Sequence, residues 1–227
     1  MGFAADAGVQ LKARLAGLFY LGTIAAGIFA EVVARGGVRA DSDAATAASI
    51  AAHADLYRLG EAADVAMLCC YIVVTALLYE LFGQAQRTLS LVAAGFSLTG
   101  ITILAADGIF HLAPLALLQS GLPAPERDAL IGLSLSLHGD LYGVSLIFFG
   151  VYCLLLGVLA IRTRLVAVAV GVLLILGGAS HILTKTAGIV SPELAASLPR
   201  LMKLAPLIGE AALAFWLLAF GARPRPA

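Results

Sequence analysis

Imidazoles, carboxylates and ammonium groups recur in this chain where the surrounding sequence is otherwise apolar. Asp107 and His111 are four residues apart, as are His181 and Lys185, so each pair falls on one helical face. His138, Tyr142 and Ser145 follow the i, i+4, i+7 pattern of a polar stripe. Asp140 is two residues from His138, turned about 200° away, and belongs at a helix cap or on the outer surface. Tyr57, Glu61 and Asp64 share another face, while Glu210 stands alone in an apolar run.

Three protein ligands and one open position make a catalytic zinc site. His111, His138 and His181 with Asp107 are the candidate ligands of zinc or a similar divalent metal. Asp64 or Glu210 is then the candidate general base for cleaving an ester or amide of a lipid or small amphiphile. No H-E-x-x-H or H-x-x-H spacing accompanies them, so the enzyme reading depends on separate helices converging. The same groups suit a proton-coupled carrier, or a lipid- or solute-binding protein without enzymatic activity, in which Glu210 holds the proton. Two facing histidines could also ligate haem. The remaining reading is structural: Arg58, Lys185 and Lys203 pair with Glu31, Asp64, Asp107 or Glu210 and lock helices in register.

The elements that must position these residues are membrane helices. Of 227 residues, 61% are hydrophobic and 12% charged, and the mean hydropathy of +1.00 excludes a water-soluble globule. Fourteen basic residues balance fourteen acidic ones, so no basic excess exists for a nucleic-acid backbone. A bilayer core of about 30 Å needs about 20 apolar residues per crossing. Stretches free of charge then predict an all-α, polytopic bundle of six transmembrane helices in one domain, near 15–34, 59–82, 89–118, 136–161, 164–186 and 200–221. Short connections at 83–87 and 162–164 make antiparallel neighbours. The other loops carry helix-start signals at Asp41-Ser42-Asp43, Pro125-Glu126 and Ser191-Pro192-Glu193, which predict short helices lying against the outer face.

Polar residues cluster at the long-loop ends of these spans, so the expected bundle has a shared polar chamber in its outer half and a dry inner half. Lys12, Arg14, Arg87, Arg162, Arg164, Arg223 and Arg225 fall with the termini and tight turns, and the other seven basic residues fall opposite. The tight turns hold basic residues with no acid between them, which assigns both termini to the cytoplasm. Lys12 and Arg14 precede an apolar run too long for a secretory h-region, so a retained first helix is expected. Cys69, Cys70 and Cys153 are odd in number and fall within spans, as packing residues rather than a disulfide framework. Tyr20, Tyr71, Tyr152 and Trp216 also read as packing residues. Gly139 with Gly143, Gly95 with Gly100, and Gly171 with Gly177 and Gly178 predict strips of close helix approach.

Several stretches carry a family resemblance. They are Arg14-Leu15-Ala16-Gly17-Leu18-Phe19-Tyr20 and Ala26-Gly27-Ile28-Phe29-Ala30-Glu31, then Arg58-Leu59-Gly60 with Asp64. Further along come His138-Gly139, Tyr142-Gly143, Phe148-Phe149-Gly150, and Gly209-Glu210 with Leu213 and Trp216-Leu217-Leu218. With these the chain resembles the DUF4386 family of bacterial membrane proteins over most of its length. The resemblance implies a six-helix protein of the bacterial cytoplasmic membrane and no particular reaction. His111, His181 and Lys185 lie outside the matching stretches.

Overall fold

The computed structural model describes residues 7–223, so Asp6 and Arg225, which entered the charge count, lie outside the described residues. Among the described residues all regular structure is helical. Five helices are long and apolar enough to cross a membrane: Ala7–Arg35, Ala54–Leu117, Ala124–Thr163, Val168–Val190 and Leu201–Ala219. The first comprises α1 (Ala7–Ile28) and a π-helical end, Phe29–Arg35. A short α2 (Asp43–Ala52) follows, with Ser42 as its N-cap accepting from the Ala45 amide. Next come α3 (Ala54–Leu117), α4 (Ala124–Thr163), α5 (Val168–Val190), a short α6 (Pro192–Ser197), a 3-10 turn (Arg200–Lys203) and α7 (Ala205–Ala219).

The 64 residues of α3 would span about 96 Å if straight, roughly three bilayer cores. They do not run straight. Gln86, with φ −140° and ψ 65°, breaks the helix and folds it back on itself. Across the break the Thr75 and Ser97 hydroxyls lie 2.7 Å apart, and Ser90 donates to the Tyr79 carbonyl at 3.0 Å. The two arms, 54–85 and 87–117, thus pack antiparallel. The expected five-residue loop at 83–87 shrinks to one residue with non-helical angles.

The helices close into a ring: α1, the first arm of α3, its second arm, α4, α5, α7, then α1 again. Glycines set the tight seams. A Cβ on Gly157 would meet the Gly171 carbonyl at 2.5 Å, one on Gly178 would meet the Gly150 carbonyl at 2.4 Å, and one on Gly209 would meet the Leu173 carbonyl at 2.7 Å. Of the expected strips, Gly171, Gly177 and Gly178 do lie against backbone. Gly95 and Gly139 face nothing within 4 Å, and Gly143 would meet only the Lys185 side chain at 3.9 Å.

The first and last described residues share one end of the ring with the tight turns. Lys12 pairs with Glu80 there, and Gln10 hydrogen-bonds both the amide and the carbonyl of Ala222. At the other end, the loop end, α4 starts at Ala124 rather than near 136. Pro125-Glu126 is therefore the first turn of a long helix, not a separate one. Its early charges do not stop the helix because Arg127 pairs with Asp128 and this segment packs against α2, where the Asp43 carboxylate abuts Gly132.

Apolar residues form two cores rather than one. The larger includes Tyr20, Leu78, Phe82, Phe149, Leu156 and Leu213, and a smaller cap at the loop end joins Val38, Ala47, Ile50, Tyr57 and Ile131. The order along each strand of the bundle is the same. In α3 it runs Tyr57, then Glu61 and Asp64, then Leu68; on the return it runs Leu104, then Asp107 and His111, then Leu115; in α4 it runs Ile131, His138, Phe149. A polar layer is held between two apolar blocks, about 24 Å from the Lys12–Glu80 pair along the 16 residues from Asp64 to Glu80.

Candidate functional site

The polar residues of the loop end divide into a packed layer and an open cleft. Arg35 is the hub of the layer. The π-helical end of α1, closed by the Gly36 amide on the Glu31 carbonyl, carries it inward, and Gly60 lets the chain approach so closely that a Cβ there would lie 2.6 Å from the Ala34 methyl. Arg35 is only 6% exposed. It donates to both oxygens of Asp64 and, through Nε, to Glu31 at 2.8 Å. Asp64, the candidate base, is thus held by a cation from α1. Arg58, proposed as a partner from spacing, instead meets the exposed Asp55.

Asp107 and His138 form the second part of the layer. His138 Nδ1 lies 2.8 Å from Asp107 Oδ2, ion-pair distance but off the angle of a hydrogen bond, and both side chains are almost wholly buried. Beside them His111 stacks on Tyr57, centroids 4.1 Å apart, while the Tyr57 hydroxyl donates to the His111 carbonyl at 2.6 Å. The His111 and His138 rings are 5.3 Å apart at 57°, which leaves no room for a macrocycle between them. Glu61 completes the group: its carboxylate presses on Gly108, where a Cβ would fall 2.2 Å from Oε1. It feels Asp64, Arg35, His138 and Asp107 electrostatically.

His181 does not join them. It lines the open side with Lys185, beyond Tyr142, whose ring is 6.1 Å from His138 and lies under the Lys185 ammonium at 5.9 Å. Among the described residues no three His, Cys, Asp or Glu side chains come close enough to hold a metal ion. The four candidate ligands therefore fall into two places: Asp107, His111 and His138 in the packed layer, and His181 on the cleft. Helical spacing fixes which face of its own helix each occupies but is silent on the ring order that separates α5 from the second arm of α3.

Two clefts meet along Tyr142, Leu146, His181 and Lys203. One, about 880 Å³, lies between the loop ends of α4 and α5 and is bordered by Gly139, Asp140, Gly143, Thr184, Lys185 and Lys203. Asp140 is exposed there and caps nothing, since α4 began sixteen residues before it. The other, about 330 Å³, runs into the ring between α1 and α7 past Ile24, Ile28, Met67, Phe149 and Leu207 to Glu210. At the turn end α1 and α7 touch, with a Gly17 Cβ 2.5 Å from the Leu218 amide nitrogen; towards the loop end they part around this cleft. Its margin residues Ile28, Val32 and Leu207 are exposed and apolar.

Glu210 sits at the inner end of the axial cleft. Its Oε1 is 3.3 Å from Cys153 Sγ and 3.5 Å from the Tyr71 hydroxyl, and the Tyr20 hydroxyl is buried nearby without a hydrogen bond. No cation pairs with it among the described residues. Cys153, Tyr20 and Tyr71, read from sequence as packing, are its surroundings; their common depth in three helices was the available signal. Lys185 and Lys203 likewise have no carboxylate within ion-pair distance among the described residues.

Comparison with curated proteins and with solved structures returns no match. A family model does match, the Domain of unknown function (DUF4386), over residues 15–221. That match takes in both the packed layer and the cleft, and with it the chain belongs to the DUF4386 family.

Proposed function

We propose that this chain is a six-span protein of the bacterial cytoplasmic membrane that binds an amphiphile by an acidic head group, the alternative to metal-dependent chemistry that the cleft favours. The observation that carries the reading is Lys185: a half-buried ammonium on an apolar helix, with no carboxylate partner among the described residues, lining a roomy cleft with Lys203 and His181. Ionisable groups within spans are costly and are retained where they have a role. The adjoining axial cleft is mainly apolar and continuous with exposed Ile28, Val32 and Leu207, which suits a hydrocarbon tail entering from the bilayer. Lys185, Lys203 and His181 would take the head group, with Tyr142 beneath it.

The reading of six crossings is supported by the break at Gln86, which divides α3 into two antiparallel arms that can be counted separately. With both termini cytoplasmic, the cleft opens in the outer half. Arg35 supports this orientation: it is consumed by Asp64 inside the protein, and so drops out of the exposed basic count at the loop end.

The test is titration of the protein, in nanodiscs of zwitterionic lipid, with a medium-chain alkyl sulfonate below its micelle concentration and with a neutral alkyl glycoside of equal chain length. The sulfonate is expected to bind the more tightly. Lys185→Gln should weaken sulfonate binding by about 10- to 100-fold, the equivalent of one hydrogen bond to a charged group worth roughly 1.5–3 kcal/mol. Equal affinity for both head groups, before and after the substitution, would overturn the proposal.

A further inference from the structure

We infer that Glu210 is a proton-binding site linked to the head-group site, so that an anionic ligand is taken up together with a proton. This rests on the amphiphile reading above. The geometry is specific: one continuous cleft has Lys203 and His181 at its wide end and Glu210 at its inner end. Lys203, at the end of the 3-10 turn, and Glu210, in the second turn of α7, are seven positions apart, about 10 Å at helical rise.

The groups facing Glu210 are few and come from every neighbouring element. From α1 comes Tyr20; from α3, Tyr71; from α4, Tyr152 and Cys153. Sharing the cleft are Glu31, Tyr142, His181 and Lys203. Tyr71 and Cys153 are neutral donors directed at one oxygen, so they can hold the carboxylate in place but supply no countercharge. Lys203, with Lys185 in the adjoining cleft, supplies the ammonium groups at the wide end.

When those ammonium groups are engaged by an anion, their field at Glu210 is cancelled and a second negative charge stands in the same low-dielectric space. At about 10 Å and an effective dielectric constant of about 20, that repulsion favours the protonated carboxyl roughly tenfold. By linkage the converse holds equally: a proton on Glu210 tightens the anion. Affinity for the anion therefore rises as pH falls through the range in which Glu210 exchanges its proton. The proton balance is simple, since a sulfonate does not titrate there: the proton comes from bulk water and stays on a Glu210 carboxylate oxygen, and no other bond changes.

Calorimetric titration of nanodisc-embedded protein with the alkyl sulfonate, in two buffers of different ionisation enthalpy, counts the protons taken up per ligand bound. Uptake of up to about one proton is expected, with affinity increasing towards acid pH. In Glu210→Gln the uptake per bound ligand should vanish and the pH dependence flatten, while in His181→Gln uptake per bound ligand persists. An infrared difference spectrum on adding sulfonate reads the same event in the unmodified protein, as gain of a protonated-carboxyl band and loss of a carboxylate band. Sulfonate binding with no buffer dependence, or uptake that survives Glu210→Gln and disappears in His181→Gln, overturns the linkage. Absence of sulfonate binding in every protein overturns the amphiphile reading instead, and the linkage with it.

Discussion

Replacing Arg35 by methionine is expected to cost about 3–5 kcal/mol of stability, the usual consequence of removing one partner from a buried ion pair. The reason is Asp64. Its side chain is only 13% exposed and loses the one cation that pairs with it among the described residues, whereas half-exposed Glu31 can turn to solvent and contributes little. The methionine stem fills most of the arginine's volume, so the loss is electrostatic rather than a cavity. Arg35→Lys should recover part of it, because an ammonium cannot engage both Asp64 oxygens and Glu31 from one planar fork. The decisive measurement is the double variant Arg35→Met, Asp64→Asn, compared with Arg35→Met in reversible unfolding in mixed micelles. Recovery of a large share of the lost stability is expected, because a neutral amide leaves no stranded charge. If Arg35→Met unfolds like the parent protein, the layer between the two cores is not an ionic joint and the polar groups there have another reason for being buried.

The fate of Arg35 also shows what the residue pattern could reveal. Uncharged stretches locate the middle of the long helices, because hydrocarbon favours apolar side chains most strongly there, and Glu210 within α7 is the exception. They locate some ends poorly. The end expected at 34 agrees with the observed end at Arg35, where the helix passes Glu31 because those two charges satisfy each other at i, i+4 and Asp64 satisfies the rest, but its start lies at Ala7 rather than at 15. In the same way α4 begins at Ala124, outside the apolar stretch, because Arg127 and Asp128 are tied to each other and α2 covers the helix. Pattern reading placed the polar residues correctly at one end of the bundle. It merged two assemblies into one chamber because periodicity fixes the face of a helix but not which neighbour that face meets. Asp107 meets His138 because the second arm of α3 packs on α4, and His181 misses both because α5 lies beyond α4 in the ring. The same limit hid the setting of Glu210, which needs Tyr20, Tyr71 and Cys153 from three different helices.

Glycine provides the sharpest division between scaffold and cleft, and the two classes predict opposite outcomes. Gly178→Leu is expected to abolish folding, or to cost several kcal/mol, because even its Cβ would lie 2.4 Å from the Gly150 carbonyl and 2.7 Å from the Leu154 amide nitrogen, backbone atoms that cannot yield without prising α5 from α4. Gly139→Leu, on the same pair of helices, is expected to fold at least as well as the parent. Nothing lies within 4 Å of a Cβ there, and glycine within a helix costs about 1 kcal/mol relative to a good helix former. A glycine that packs against nothing and weakens its own helix contributes one thing, which is open volume, and Gly139 borders the cleft beside Tyr142 and Lys185. Leucine at 139 should therefore leave the melting temperature unchanged or raised by a few degrees while reducing sulfonate affinity by about tenfold or more. Melting curves and sulfonate titrations of the two variants separate the cases. Normal affinity in a stable Gly139→Leu protein would mean that the space between α4 and α5 is not where the head group sits, and Lys185 would then have to be explained by something other than a ligand.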